Sequence, residues 1–262
     1  MIAYRQYRKP HRYKKKKPLL RLKFLVLGFL AVLVIGAFFY GLFLWNIFWV
    51  EKVVVSGEQE VAKQAIESLV GSRLENTALF FKTKSIFTVD AGQIKADILN
   101  TFPQVASAEV SKSFFNTVDV KIVERRAVAL WCENERCFFV DEGGVIFKEA
   151  PVDSGFIVIE TDRPLQELSL GTAILSAEKI AQILKIESDL FETLQIEVVR
   201  VEVSDERLDA KNTEGWTIRF NLKGDLDWQV TELKLALEKQ ISPEKRKALE
   251  YVDLRFSRIY YK

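Results

Sequence analysis

The sequence predicts an α+β protein hung from a single membrane-crossing helix: first a β-α-α-β-β unit, then a mostly β region with two helices. Three observations lead there. Phe24–Val50 is a run of 27 residues without a charge, and the segment before it carries only positive charge. Val118, Val120 and Ile122 alternate with Asp119 and Lys121, the period of a half-buried strand. Leu226, Val230, Leu233 and Leu237 recur at helical spacing.

The anchor comes first. A helix rises about 1.5 Å per residue, so about 20 apolar residues cross a hydrocarbon core of about 30 Å. Residues 1–23 hold ten Lys/Arg, and the first acidic residue is Glu51. Lys and Arg resist translocation, so this flank is expected to stay cytoplasmic and everything after about residue 50 to lie outside. Trp45 and Trp49 suit the outer interface. A cleaved signal peptide would have a shorter apolar region and a small-residue cleavage site, and Trp-Asn-Ile-Phe-Trp offers none. The basic cluster fits anionic inner-leaflet lipid better than nucleic acid.

The chain has 38 basic and 36 acidic residues. The first 50 residues hold ten of the former and none of the latter, which leaves 28 against 36, a net of −8, in residues 51–262. That part has no electrostatic footprint for nucleic acid and is long enough for two domains.

Between Glu51 and Glu124 the expected order is strand, helix, helix, strand, strand. Val53, Val54 and Val55 run into Ser56-Gly57, a strand ending in a turn. Val61, Ala65, Ile66, Leu69 and Val70 recur at helical spacing, with Gly71 as the stop. Residues 72–88 lack a period and read as a connection. Asp90 and Gln93 have the spacing of a capping box, and Ile94, Ile98 and Phe102 line one face of a helix ended by Pro103. Val105–Ser113 and Thr117–Glu124 then form a hairpin.

From Arg125 onward strands dominate: Ala127–Cys132, Cys137–Asp141, Phe156–Glu160, Ile196–Val203, Trp216–Leu222 and Tyr251–Tyr261. Ser176 caps a helix carrying Ile180, Ile183, Leu184 and Leu190, and the helix from Leu226 ends at Pro243. The domains predicted are a basic tail 1–23, a span 24–50, a first outer domain 51–124 and a β domain 125–262.

The residues argue against catalysis. The only histidine, His11, lies in the tail, so the outer region has no imidazole base or metal ligand. Asp141-Glu142-Gly143-Gly144 reads as turn chemistry rather than a metal loop. Gly28, Gly36 and Gly41 fall inside the apolar run, and nothing isolates one carboxylate pair. No catalytic residue, metal, cofactor or small-molecule substrate is expected. Cys132 and Cys137 are the one covalent possibility. A two-residue loop at Asn134-Glu135 would set them opposite each other with Cα atoms about 4.5 Å apart, which favours a disulfide over two free thiols.

The last strand, Tyr251–Tyr261, is expected at a sheet edge. Val252, Leu254 and Phe256 alternate with Asp253, Arg255 and Ser257, so one face enters the core while the other stays wet. Arg255 and Arg258 would pair with acidic groups of an incoming segment, with Tyr251 or Tyr260 as anchors.

The ordered set of elements and residues resembles a POTRA domain, and more narrowly the membrane-proximal POTRA of the FtsQ/DivIB family of bacterial cell-division proteins. The stretches that carry the likeness are Val53–Gly57, Phe102-Pro103-Gln104-Val105, Ala108-Glu109-Val110 and Asn116-Thr117-Val118. Glu124-Arg125 with Ala127–Trp131, Val140-Asp141, Gly144–Phe147 and Tyr251–Phe256 follow. The resemblance implies a non-catalytic, single-pass scaffold of the cytoplasmic (inner) membrane at the division septum, N-terminus inside. It also implies FtsB/FtsL-like partners, an FtsB-like strand adding at the C-terminal edge formed by Tyr251, Leu254, Arg255, Phe256, Ser257, Arg258 and Tyr260. A POTRA-bearing chaperone or translocation accessory is the alternative; a wall hydrolase is disfavoured by the missing constellation.

Overall fold

The computed structural model describes residues 19–78, 81–133, 136–151, 154–162 and 169–262. The basic tail up to residue 18 and the Asn134-Glu135 loop fall outside them. The chain divides into two compact units.

The first unit comprises, among the described residues, 19–52, 74–78, 81–89 and 113–117. Its helix α1, Leu19–Leu44, contains a stretch, Lys23–Leu42, long and apolar enough to cross a membrane. The helix does not continue to Val50 as the uncharged run implies. Trp45 adopts an extended backbone, Asn46–Phe48 forms one 3-10 turn, and the Leu42 carbonyl accepts from Ser85 Oγ at 2.9 Å. The region expected to be a plain connection contains a small hairpin, β2 (Asn76–Ala78) on β3 (Phe81–Thr83), then a 3-10 turn, Ile86–Thr88. Backbone bonds from Val50 to Lys84 and from Glu51 to Asn116 tie these segments together, over buried Val50, Ile86 and Val89.

The second unit holds the remainder. Its first part is a three-stranded sheet in the order β1 (Lys52–Ser56), β5 (Thr117–Glu124), β4 (Val105–Ser113), with helices α2 (Lys63–Leu74) and α3 (Ala91–Thr101). Val118, Val120 and Ile122 are buried, as the alternation requires. Gly57 turns the chain at φ +90°, where a Cβ would lie 2.1 Å from the Ile122 carbonyl oxygen, so glycine is required. Helix α2 runs three residues past Gly71 because Leu74 extends its buried face beyond Val70. Asp90 caps α3 by accepting from the Gln93 N–H at 3.0 Å, but the Gln93 side chain turns to Asp97, so the reciprocal half of the box is absent.

Phe102 is a correction. It sits at the C-cap of α3 and is only half-buried, whereas Ile94 and Ile98 are in the core. Ile98→Ala is therefore expected to cost about 2–5 kcal/mol, and Phe102→Ala less than the 3–5 kcal/mol of a fully buried ring. Exposed Lys95 should tolerate alanine within about 0.5 kcal/mol. Urea unfolding of the three variants checks the order, and equal loss at all three positions would refute the helix face.

The remaining strands form a nine-stranded sheet. They are β6 (Ala129–Glu133), β7 (Arg136–Val140), β8 (Ile146–Ala150), β9 (Val158–Thr161), β10 (Val198–Val203), β11 (Arg207–Asn212), β12 (Thr217–Asn221), β13 (Tyr251–Asp253) and β14 (Tyr260–Tyr261). Their spatial order is β14-β13-β12-β11-β10-β9-β6-β7-β8. Pairing is parallel at β6/β9, β9/β10 and β12/β13. Parallel neighbours need a crossover; the one from β6 to β9 contains β7 and β8, and helices supply the other two. Helix α4 (Ala177–Leu194), capped by Ser176, joins β9 to β10; α5 (Leu226–Lys239) and α6 (Pro243–Arg246) join β12 to β13. The two long helices touch, α4 against β10 and α5 against β12, over a core that includes Ile183, Leu190, Trp216, Phe220 and Leu233. Pro243 does not end α5. It opens α6 behind the Ser242 cap, where its missing N–H is harmless.

Candidate partner-binding edge

The C-terminal segment is two short strands joined by a bend, not one strand. β13 pairs parallel with β12 on one side and antiparallel with β14 on the other, so β14 is the sheet edge. Asp253 causes the break. It is 4% exposed, and its carboxylate accepts from Arg255 Nε at 2.9 Å, Arg255 Nη2 at 2.6 Å and the Arg255 backbone N–H at 3.1 Å. Arg219 lies 3.9 Å away on β12. Burial raises the Asp253 pKa, but the Arg255 bonds outweigh it and hold the carboxyl below its usual range. Asp209 on β11, facing Arg207 and Arg219, goes the other way: burial pushes its carboxyl up.

This geometry sorts the residues expected at the edge. Leu254 is in the core with Val252, out of reach of any incoming chain. Arg255 is engaged by Asp253 and is not free for an acidic partner. Tyr251 is half-buried, its ring under the Arg219 guanidinium at 4.2 Å. Phe256, Ser257, Arg258 and Tyr260 are exposed, and the rings of Phe256 and Tyr260 meet edge to face at 5.8 Å. Arg258 has no ion-pair partner among the described residues.

Tyr261 was not among the expected residues. Lys262 exchanges both backbone bonds with Tyr251, at 3.2 and 3.3 Å, and Tyr261 stands opposite Val252. In an antiparallel ladder bonded and non-bonded pairs alternate, so the Tyr261 N–H and C=O point away from β13. The fold-back of the strand, invisible in the side-chain alternation, creates this open position.

The far edge is different. The segment Ser169–Ile174 bonds at the start of β8: Ile146 donates to the Thr172 carbonyl at 3.0 Å and its own carbonyl accepts from the Gly171 N–H at 2.7 Å. Where β6 turns back, Cys132 stands opposite Cys137 and Glu133 opposite Arg136. The two sulfurs are joined, with Cα atoms 4.1 Å apart. Thiol counting on the denatured outer region, purified without reductant, is expected to find no free sulfhydryl; two titratable thiols would exclude the bridge. The loop is short, so its loss should cost no more than about 2–3 kcal/mol. Among the described residues no cluster of three or more His, Cys, Asp or Glu side chains could hold a metal ion.

Two family descriptions match the chain. Residues 48–125 match the POTRA domain, FtsQ-type, and residues 129–255 match Cell division protein FtsQ/DivIB, C-terminal. The chain belongs to the FtsQ/DivIB family. Family relatives include the cell division protein FtsQ of Rickettsia typhi, 25% identical over 207 residues and 79% of this chain. That of Streptomyces bingchenggensis is 25% identical over 144 residues, 53% of this chain. The aligned part spans 62% and 54% of these relatives' own lengths. Among the described residues one helix is long and apolar enough to cross a membrane, which together with the family membership fits a membrane-anchored cell-division protein.

Proposed function

We propose that the protein is a non-catalytic, single-pass scaffold of the division machinery that captures a partner segment by strand addition on β14. The observation that carries this is the open edge itself: the Tyr261 N–H and C=O point outward, flanked by the exposed rings of Phe256 and Tyr260. Main-chain bonds would supply register, and the rings would supply anchors. Unpaired Arg258 suits an acidic side chain on the incoming strand. The partners are FtsB- and FtsL-like membrane proteins, bound outside the cytoplasmic membrane and linked to septal peptidoglycan synthesis.

A photo-crosslinking residue in place of Tyr261, in a full-length fluorescent fusion, tests the reading. The fusion is expected at midcell septa and the crosslink on an FtsB- or FtsL-like chain. Uniform envelope fluorescence, with no crosslink to such a chain, would defeat the proposal.

A further inference from the structure

A set of aromatic rings begins where the membrane-length helix stops. Phe48 lies 5.2 Å from Phe87 and 6.2 Å from Phe115, while Phe114 lies 6.0 Å from Phe87 and 6.4 Å from Phe115. Three separate stretches of the first unit contribute to it: the chain after α1, the loop after β3 and the turn between β4 and β5. The rings do not cover one another. Phe114 is 68% and Phe115 60% exposed, and Trp45 and Ile47, just before Phe48 in the chain, are open as well. Burying a phenylalanine ring is favourable, so two adjacent bare rings at a hairpin tip mark a surface meant to be covered.

We propose that this collar sits in the outer-leaflet interface of the bilayer that α1 crosses, and that a phospholipid surface is its ligand. The proposal rests on α1 spanning the membrane. Depth supports it. Lys23–Leu42 is 20 residues, which at a rise of about 1.5 Å matches a hydrocarbon core of about 30 Å. The Leu42 carbonyl therefore lies where hydrocarbon gives way to headgroups. Ser85 Oγ donates to that carbonyl at 2.9 Å, which pins the loop carrying Phe87 at the same level. The headgroup layer adds about 5–8 Å on each side, the same scale as the ring-to-ring distances. Aromatic rings favour this half-wet zone. Two nearby charged groups are engaged within the protein: Glu51 accepts a hydrogen bond from Asn116 Nδ2 at 3.0 Å, and Lys84 pairs with Glu75 at 3.3 Å.

The test uses the full chain in vesicles of phosphatidylethanolamine and phosphatidylglycerol, with p-benzoylphenylalanine replacing Phe115 or, independently, Phe114. Leu33 on α1 serves as the membrane-inserted reference, and Phe191 on α4, 54% exposed, as the water reference. After irradiation, lipid adducts at 115 and 114 are expected to exceed those at 191 by at least about tenfold, the ratio equivalent to 1.4 kcal/mol. Adducts at 33 but not at 114 or 115 would overturn the collar while leaving the anchor standing. Crosslinks from 115 to a second copy would overturn it in favour of a protein occupant. Failure at 33 would remove the spanning helix and the collar together.

Discussion

A chain truncated after Phe256, without Ser257–Lys262, is expected to lose partner capture while keeping its sheet. The deletion removes β14, the outward Tyr261 backbone and the Tyr260 ring together. β13 remains docked, because its parallel pairing with β12 and the bond from Leu254 N–H to the Arg219 carbonyl, 2.9 Å, involve none of the deleted residues. The structural loss is the β14 ladder on Tyr251–Asp253, the Lys262–Glu250 ion pair at 2.8 Å and the half-buried Ile259 side chain. A point-mutation series separates edge from anchor. Phe256→Ala and Tyr260→Ala should each weaken binding by about 2 kcal/mol, roughly 30-fold in Kd, if the rings are hot spots. Crosslinking yield from membranes and urea unfolding of the same proteins are the measurements. Undiminished capture by the truncated, folded chain would place the contact elsewhere.

The largest expected stability effect lies far from that edge. Arg125 Nη1 meets Asp141 Oδ2 at 2.5 Å, its Nε donates to the Pro103 carbonyl at 3.0 Å, and its backbone N–H donates to Gln104 at 2.7 Å. The side chains are only 18% and 10% exposed, so the pair is little screened by water. Asp141 is also committed on its other oxygen, which accepts from the Val145 N–H at 2.9 Å. Arg125→Ala leaves a buried carboxylate without its cation and should destabilise the protein by about 3–5 kcal/mol. Arg125→Lys should recover only part, since one ammonium cannot reproduce the planar fork between Pro103 and Asp141. The double variant Arg125→Ala/Asp141→Ala should be less damaged than the single, because no orphan charge remains. Urea midpoints decide it, and a loss below about 1 kcal/mol for Arg125→Ala would show the pair to be dispensable.

Beside it, the Glu124 carboxylate accepts from three successive N–H groups, Gln59, Glu60 and Val61, at 2.7–3.1 Å. Burial pushes its pKa up, but those donors and Lys148 outweigh that and hold it below the ordinary value. Its contribution to stability is therefore present above the unfolded-state pKa and lost as pH falls through the folded one.

Strong periodicity made much of the fold legible. The β4–β5 hairpin follows from the alternation at 118–122, and the Asp90 and Ser176 caps from side chains that compete for backbone N–H groups. β11 was missed because Arg207–Asn212 places only Leu208 and Ala210 beside a buried asparagine, too little bulk for an apolar signal. At the C-terminal edge the alternation misled. It treats every charged residue as wet, whereas Asp253 is buried by virtue of Arg255 and Arg219, partners that one strand's pattern does not reveal. That pairing bends the chain at Leu254, and the fold-back puts the edge on Tyr261 instead of β13.

The two ends of the nine-stranded sheet set a valence. Ser169–Ile174 bonds at Ile146, the start of β8, while among the described residues none pairs with the outer side of β14. A strand that docks on β14 meets a template that differs from the β8 end, where Ile146 is already bonded to Gly171 and Thr172. Two copies meeting β14 to β14 would close on a twofold axis and stop. On the proposed capture at β14, the two ends of the sheet would differ in what they accept: a partner strand at β14, and none at the Ile146 position of β8.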